Sequence, residues 1–262
     1  TVENPTPFMS HISYNPILTV AIYLVLYQIF FNTNLNKLRF FMYSFFAISM
    51  TINMFITGGR AGQIMFFSML AILIFQFFEK SKFKSLLGIL LIIPIIFITA
   101  YQASPLFEKR VNLAFHEALT FEVEKVTKVS SVGMRINYAL NSWHIIKENP
   151  IIGVGTGDFP SEYKKVNELN SPHIYNVTNP HNMYTLVMVQ LGLIGLISML
   201  SIFYYQIKFA LNSSDKFFKN TGLALPLLFL VIMWSDSYLL GHYTTLLFIF
   251  LSSFLYKDFE KS

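Results

Sequence analysis

Three residues stand out by chemical type and setting. They are Arg60 in Thr57-Gly58-Gly59-Arg60, Arg135 near the start of an amphipathic stretch, and His181 in Asn179-Pro180-His181-Asn182. Arginine presents a permanent, forked cation that matches phosphate oxygens, and two arginines near a helix N-terminus would suit a diphosphate. Histidine exchanges a proton near neutral pH. With Asn179 as N-cap and Pro180 at the first helical position, His181 and Asn182 are expected in the first turn of a helix. Free N–H groups and the helix dipole there favour an anion and disfavour an imidazolium, which keeps the ring neutral and able to accept a proton. The set reads as two cations to hold an anionic group and one base to act beside it.

The elements that must position these residues are membrane helices. Of 262 residues, 54% are hydrophobic and only 13% charged, against about a quarter charged in soluble domains. Phenylalanine alone accounts for 28 residues, more than a water-exposed surface carries without aggregating. There is no cysteine, which excludes disulfides and thiolate metal sites. Seven apolar stretches approach bilayer-spanning length, near 14–31, 38–57, 61–78, 85–102, 182–207, 221–238 and 240–256. The fold expected is an all-α integral membrane protein, a bundle of about seven transmembrane helices with one large helical extracytoplasmic loop. Residues 1–102 would form transmembrane helices 1–4, residues 103–180 the periplasmic loop domain, and residues 181–262 transmembrane helices 5–7. No charged n-region with a cleavage site precedes the first apolar run, and the natural protein is expected to begin before Thr1.

Orientation follows from the short loops. Lys37, Arg39, Lys80, Lys82, Lys84, Lys208, Lys216, Lys219, Lys257 and Lys261 fall on one side, while the opposite short segments hold only Arg60 among lysines and arginines. By the positive-inside rule the lysine-rich side is cytoplasmic. The net charge of +5 then reports topology and contact with anionic lipid, not nucleic acid. Each candidate has a plainer reading too. Arg60 could snorkel to headgroups, Arg135 could cover a domain surface, and His181 could cap or pack at the interface. Arg60 departs from its plain reading because the charge bias opposes it and because two glycines before it let backbone and ligand approach closely.

Within 103–180, Val132, Ile136, Leu140, Trp143 and Ile146 recur at helical spacing between Ser131 and Asn149, with Arg135 at the edge of that stripe. Pro150 ends this helix, and Ile151-Ile152-Gly153-Val154-Gly155-Thr156-Gly157 reads as a tight turn, because it lacks the Lys-Ser/Thr of a phosphate loop. The stretch 107–128 is read as helical. Glu122-Val123-Glu124 has a carboxylate spacing some metal sites use, but a solvated helix face is the favoured reading. Asp236 and His242 flank the last outer turn, where with Asn182 they either line the same cavity or satisfy each other. Asn176-Val177-Thr178 matches a glycosylation sequon by pattern alone. Gln190-Leu191-Gly192-Leu193-Ile194-Gly195 is assigned to close helix packing through small residues.

Four segments together resemble the O-antigen ligase and polymerase family, bacterial membrane glycosyltransferases of the GT-C type. They are Thr57-Gly58-Gly59-Arg60-Ala61-Gly62, Arg135 with Trp143 eight positions later, Asn149-Pro150 through Asp158-Phe159, and Pro180-His181-Asn182-Met183-Tyr184 running into Gln190–Gly195. The resemblance spans about residues 40–240 and implies an enzyme of the bacterial inner membrane with its site facing the periplasm. Such enzymes move a glycan from an undecaprenyl-diphosphate carrier to an acceptor hydroxyl, without ATP, metal or other cofactor. It implies that Arg60 and Arg135 bind the diphosphate and that His181 orients or deprotonates the acceptor, with membrane lipids as surroundings. Attack opposite the leaving group would invert the anomeric carbon.

The acceptor decides the name within that family. A ligase gives the glycan to the lipid A core, a polymerase to another carrier-linked repeat, and the ligase reading is the one adopted. A lipid-linked glycan flippase or transporter is the reading from another class. Transporters place ionisable groups near the bilayer midplane, whereas here the span interiors offer Gln28, Asn53, Gln76 and Gln190 while charge gathers at the rim.

Overall fold

The computed structural model describes residues 9–57, 59–119 and 131–257, together with the backbone of Arg60, whose side chain lies outside the described part. All regular structure among these residues is helical. In chain order the helices are α1 (His11–Phe31), α2 (Lys37–Ile56), α3 (Arg60–Phe77), α4 (Lys82–Ala103), α5 (Pro105–Leu119), α6 (Ser131–Glu148), α7 (Phe159–Asn170), α8 (Met183–Asn212), α9 (Lys216–Ile232) and α10 (His242–Leu255). Many starts are fixed by side chains that accept from the first-turn amides: Ser10 for α1, Asn36 for α2, Ser81 for α4, Asn182 for α8 and Asp215 for α9. Each of the seven apolar stretches coincides with one helix. Four of these helices, α1, α2, α4 and α8, are long and apolar enough to cross a membrane, and Ala61–Phe77 and His242–Leu255 are shorter apolar helices beside them. The chain is a multi-pass, all-helical membrane protein.

Helix α1 packs on α2, α3 and α10, α3 packs also on α4 and α9, and α8 runs along α9. The main core joins Tyr23 and Tyr27, Met65, Met69 and Leu73, Phe203, and Leu228 and Phe229 from four of these helices. Apolar side chains of α2 and α4, such as Phe41, Phe45, Leu90 and Ile95, point away from the protein, as lipid-facing residues do. At the lysine-bearing end the polar groups bind one another. Tyr23 Oη donates to Gln76 Oε1 at 2.9 Å, Gln76 Nε2 donates to the Asn220 carbonyl at 2.8 Å, and Lys216 Nζ lies 3.0 Å from Glu79.

The segment between α4 and α8 differs from its sequence reading in three places. Helix α5 bears out a helical 107–128 only as far as Leu119; Glu122 and Glu124 lie outside the described residues. Helix α6 forms where expected, but of its apolar stripe only Ile146 is buried. Leu140 and Trp143 are exposed, and the face turned inward carries Asn137, Tyr138, Asn141 and Ser142. Burying those amides is tolerable because α7, which the sequence did not announce, supplies partners. Asn141 Nδ2 donates to Asn167 Oδ1 at 3.0 Å and to Ser171 Oγ at 2.9 Å, and Asn137 Nδ2 donates to Tyr163 Oη at 3.3 Å.

The third difference concerns Gly192. It does not serve close packing between helices; it interrupts α8 with φ 60° and ψ −159°, a conformation essentially reserved for glycine. The loop after α6 docks backbone to backbone against this break. Val154 N donates to the Val189 carbonyl at 2.9 Å, Gly155 N to Gln190 at 3.0 Å, Leu193 N to Pro150 at 2.9 Å and Ile194 N to Ile151 at 3.2 Å. The loop therefore restores hydrogen bonds that the break would forfeit. A Cβ on Gly153 would overlap the backbone of Gln190, and one on Gly192 the backbone of Ile151.

Candidate functional site

The sixth apolar stretch was expected to stay helical to 238, but α9 ends at Ile232, and Met233 to Gly241 forms a turn at the outer end of the bundle. The reason is local. Ser235 Oγ and Ser235 N both turn back to the Ile232 carbonyl at 2.8 Å, and Asp236 Oδ1 takes the Ser237 amide at 2.7 Å, closing the chain on itself. The turn is also held from α8, since Met183 N donates to the Met233 carbonyl at 2.9 Å and Asn182 Nδ2 to the Trp234 carbonyl at 3.3 Å.

His181 lies opposite this turn. It is not in the first turn of α8, as the Asn179-Pro180 pattern suggested. The N-cap is Asn182, whose Oδ1 accepts from Thr185 N at 3.0 Å, and His181 precedes it with a positive φ of 53°. Asn179 does other work. Its Oδ1 accepts from His181 N at 2.9 Å and from Ser237 Oγ at 2.8 Å, so one amide fixes both the histidine backbone and the turn. The result aims the imidazole at Asp236, with Nδ1 3.2 Å from each carboxylate oxygen.

The two partners differ in access. The Asp236 side chain is 9% exposed and the His181 side chain 38%. A carboxylate facing Nδ1 holds the proton on that nitrogen and leaves Nε2 as the acceptor on the more open edge. Tyr138 of α6 covers one face of the ring, with centroids 6.1 Å apart and planes at 29°. Burial pushes the Tyr138 phenol up, and the charge of Arg135 works against that shift. Burial likewise raises Tyr238, two residues beyond Asp236, and Arg135 again opposes it. The Arg135 charge therefore reaches both phenols.

Arg135 itself is exposed and lines an open groove of about 660 Å³ with Val132, Ile136, Leu140, Trp143 and Thr185. Arg60 opens α3, and the glycine before it packs against His11 at the start of α1. His11 in turn lies within electrostatic reach of Asp236 and of Arg110 on α5. The structure thus joins His181 to Asp236 and sets Tyr138 beside the ring, with Arg135 one helical turn before Tyr138, while the backbone at Arg60 packs through Gly59 on His11. His242 starts α10 with its ring 5.5 Å from Tyr243, and no hydrogen bond or ion pair joins it to His181 or Asp236 among the described residues. His181 and Asp236 are two groups of metal-ligand type, and among the described residues no third His, Cys, Asp or Glu joins them. Two members of this neighbourhood escaped the sequence. Tyr138 follows Arg135 by one helical turn, a spacing that could have flagged it, whereas nothing in the chain points to His11.

The family model for O-antigen ligase matches residues 45–200, which hold Arg60, Arg135 and His181 but stop short of Asp236. An uncharacterized protein of Haemophilus influenzae is 28% identical over 206 residues, which is 76% of this chain and 51% of that protein. The chain spans about half the length of that relative. With a family match over more than half its residues, the chain belongs to the O-antigen ligase family.

Proposed function

We propose that the protein is a glycosyltransferase of ligase type, which moves a glycan from undecaprenyl diphosphate to a hydroxyl of the lipid A core. In this reading the seven apolar helices all cross the bacterial inner membrane, α5 to α7 form a GT-C-like periplasmic domain, and the site faces the periplasm. The observation that carries the reading is the His181–Asp236 pair, bonded through Nδ1, with the imidazole 38% exposed and Tyr138, one turn after Arg135 on α6, against its ring.

The acceptor hydroxyl gives its proton to His181 Nε2 as its oxygen attacks the anomeric carbon of the donor sugar. The bond from that carbon to the diphosphate oxygen breaks, and the electron pair leaves on the diphosphate. Arg60 and Arg135 stabilise this developing charge as fixed cations. Asp236 stabilises the imidazolium that forms on His181. The products are the glycosylated acceptor and undecaprenyl diphosphate, with inversion at the anomeric carbon.

The test is transfer by the purified natural protein in detergent, with a carrier-linked glycan and lipid A core as substrates. Transfer that needs His181 and yields an inverted linkage supports the reading. Chains that lengthen with no lipid A core present would replace the ligase by the polymerase of the same family. Activity that requires two sealed compartments would replace it by a transporter.

A further inference from the structure

His11 and Asn15 of α1, on which the start of α3 rests, have no part in the chemistry above, yet the packing there is specific. Gly59 and Gly62 flank Arg60, and both face Asn15 of α1, with Gly59 facing His11 as well. A Cβ built on Gly59 would stand 2.7 Å from Asn15 Nδ2 and 2.9 Å from His11 Cδ2, and one on Gly62 would overlap the Asn15 side chain outright. Asn15 is 1% exposed, and its Oδ1 has no hydrogen-bond partner among the described residues. An aliphatic side chain would fill this seat without stranding a polar atom, so filling space does not account for an amide here. Helix α3 also begins without a side-chain cap. The entry angle of Arg60 is therefore set by what lies under the two glycines, not by a capping bond. The same His11 ring also lies within electrostatic reach of Asp236 and Arg110.

We propose that His11 and Asn15 are positioning residues for Arg60. They form the seat that fixes the Gly59–Gly62 turn, and through it the diphosphate-binding arginine, relative to the His181–Asp236 pair. The proposal rests on the donor reading given above. The glycines are required because the turn must lie directly on the α1 side chains. Because Gly59 rests on His11 and both glycines rest on Asn15, a shift of the seat would move the start of α3, and Arg60 with it.

The experiment measures binding of undecaprenyl diphosphate, without glycan, to the natural full-length protein in lipid nanodiscs, together with KM and kcat for transfer. The variants are His11→Ala and Asn15→Ala, each made alone, with Arg60→Ala and with Arg135→Ala. Single substitutions are expected to weaken binding about tenfold and to raise the donor KM while kcat changes little. Added to Arg60→Ala they should cost nothing further, whereas added to Arg135→Ala they should keep their full effect. His11→Gln and Asn15→Ser, which retain polar ends, should recover most of the affinity, and melting temperatures identify any variant that fails to fold. Equal losses in the presence and absence of Arg60 would overturn the proposal, as would wild-type binding in the single variants. If Arg60→Ala itself binds undecaprenyl diphosphate normally, the donor reading falls. If it does not, and His11 and Asn15 prove indifferent, only the seat is wrong.

Discussion

The outer mouth and the glycine lock are neighbours in the chain but are built in opposite ways. At the mouth, side chains from α6, the α8 approach and the turn after α9 meet: Tyr138, His181 and Asp236. At the lock, the backbones of Pro150–Gly155 and Val189–Ile194 pair directly, and both glycines exclude side chains. A site made of side chains can lose one function while the frame survives. A joint made of backbone has nothing to spare, because a single Cβ separates both strands of contact.

The largest expected effect that would sharpen this contrast is at His181. His181→Ala should lower turnover about 10²- to 10⁴-fold, the usual worth of a general base, with little change in melting temperature. A folded variant that keeps wild-type turnover would break the contrast at the mouth. Gly192→Ala is the counterpart at the lock. Its φ of 60° and the overlap with Ile151 should cost about 3 kcal/mol or more, read as loss of folded protein with whatever turnover remains scaling with the folded fraction. Asp236→Asn should have a smaller effect than either, reducing kcat about 10- to 100-fold by releasing the imidazole tautomer while donor binding holds. The smallest effect belongs at the lysine-bearing end. The pair Lys216 and Glu79 is 55% and 43% exposed, so Lys216→Ala should change stability by less than about 1 kcal/mol and less still at high salt. A larger loss there would mean that the inner end contributes more than its exposure suggests.

Much of the frame was legible because hydropathy is local. The seven apolar stretches coincide with helices, and the lysines mark one end. What failed depended on distant partners. The stripe from Val132 to Ile146 looked like a core face because periodicity cannot reveal that Asn167, Ser171 and Tyr163 would satisfy Asn137 and Asn141 and so let α6 bury its amides instead. Gly192 looked like a packing glycine, since its left-handed φ exists only to receive a loop forty residues earlier in the chain. At the site, His181 was legible from its own tetrapeptide, but its N-cap was misplaced by three residues because Asn179 is engaged by Ser237 across the turn. Asp236 was one of several residues named near the mouth. Its bond to His181 needs the α9 helix to stop at Ile232, which the apolar run 221–238 conceals.

The interrupted α8 has a consequence for isotope labelling. Amides that release their protons slowly normally belong to one continuous helix, and openings propagate along it. Here Val154 and Gly155 donate into α8 while Leu193 and Ile194 donate out to the loop, so the two sets should take up deuterium together as a single cooperative unit. A mass-resolved exchange experiment would then show peptides about forty positions apart changing in step, and a ligand that tightens this junction would slow both at once.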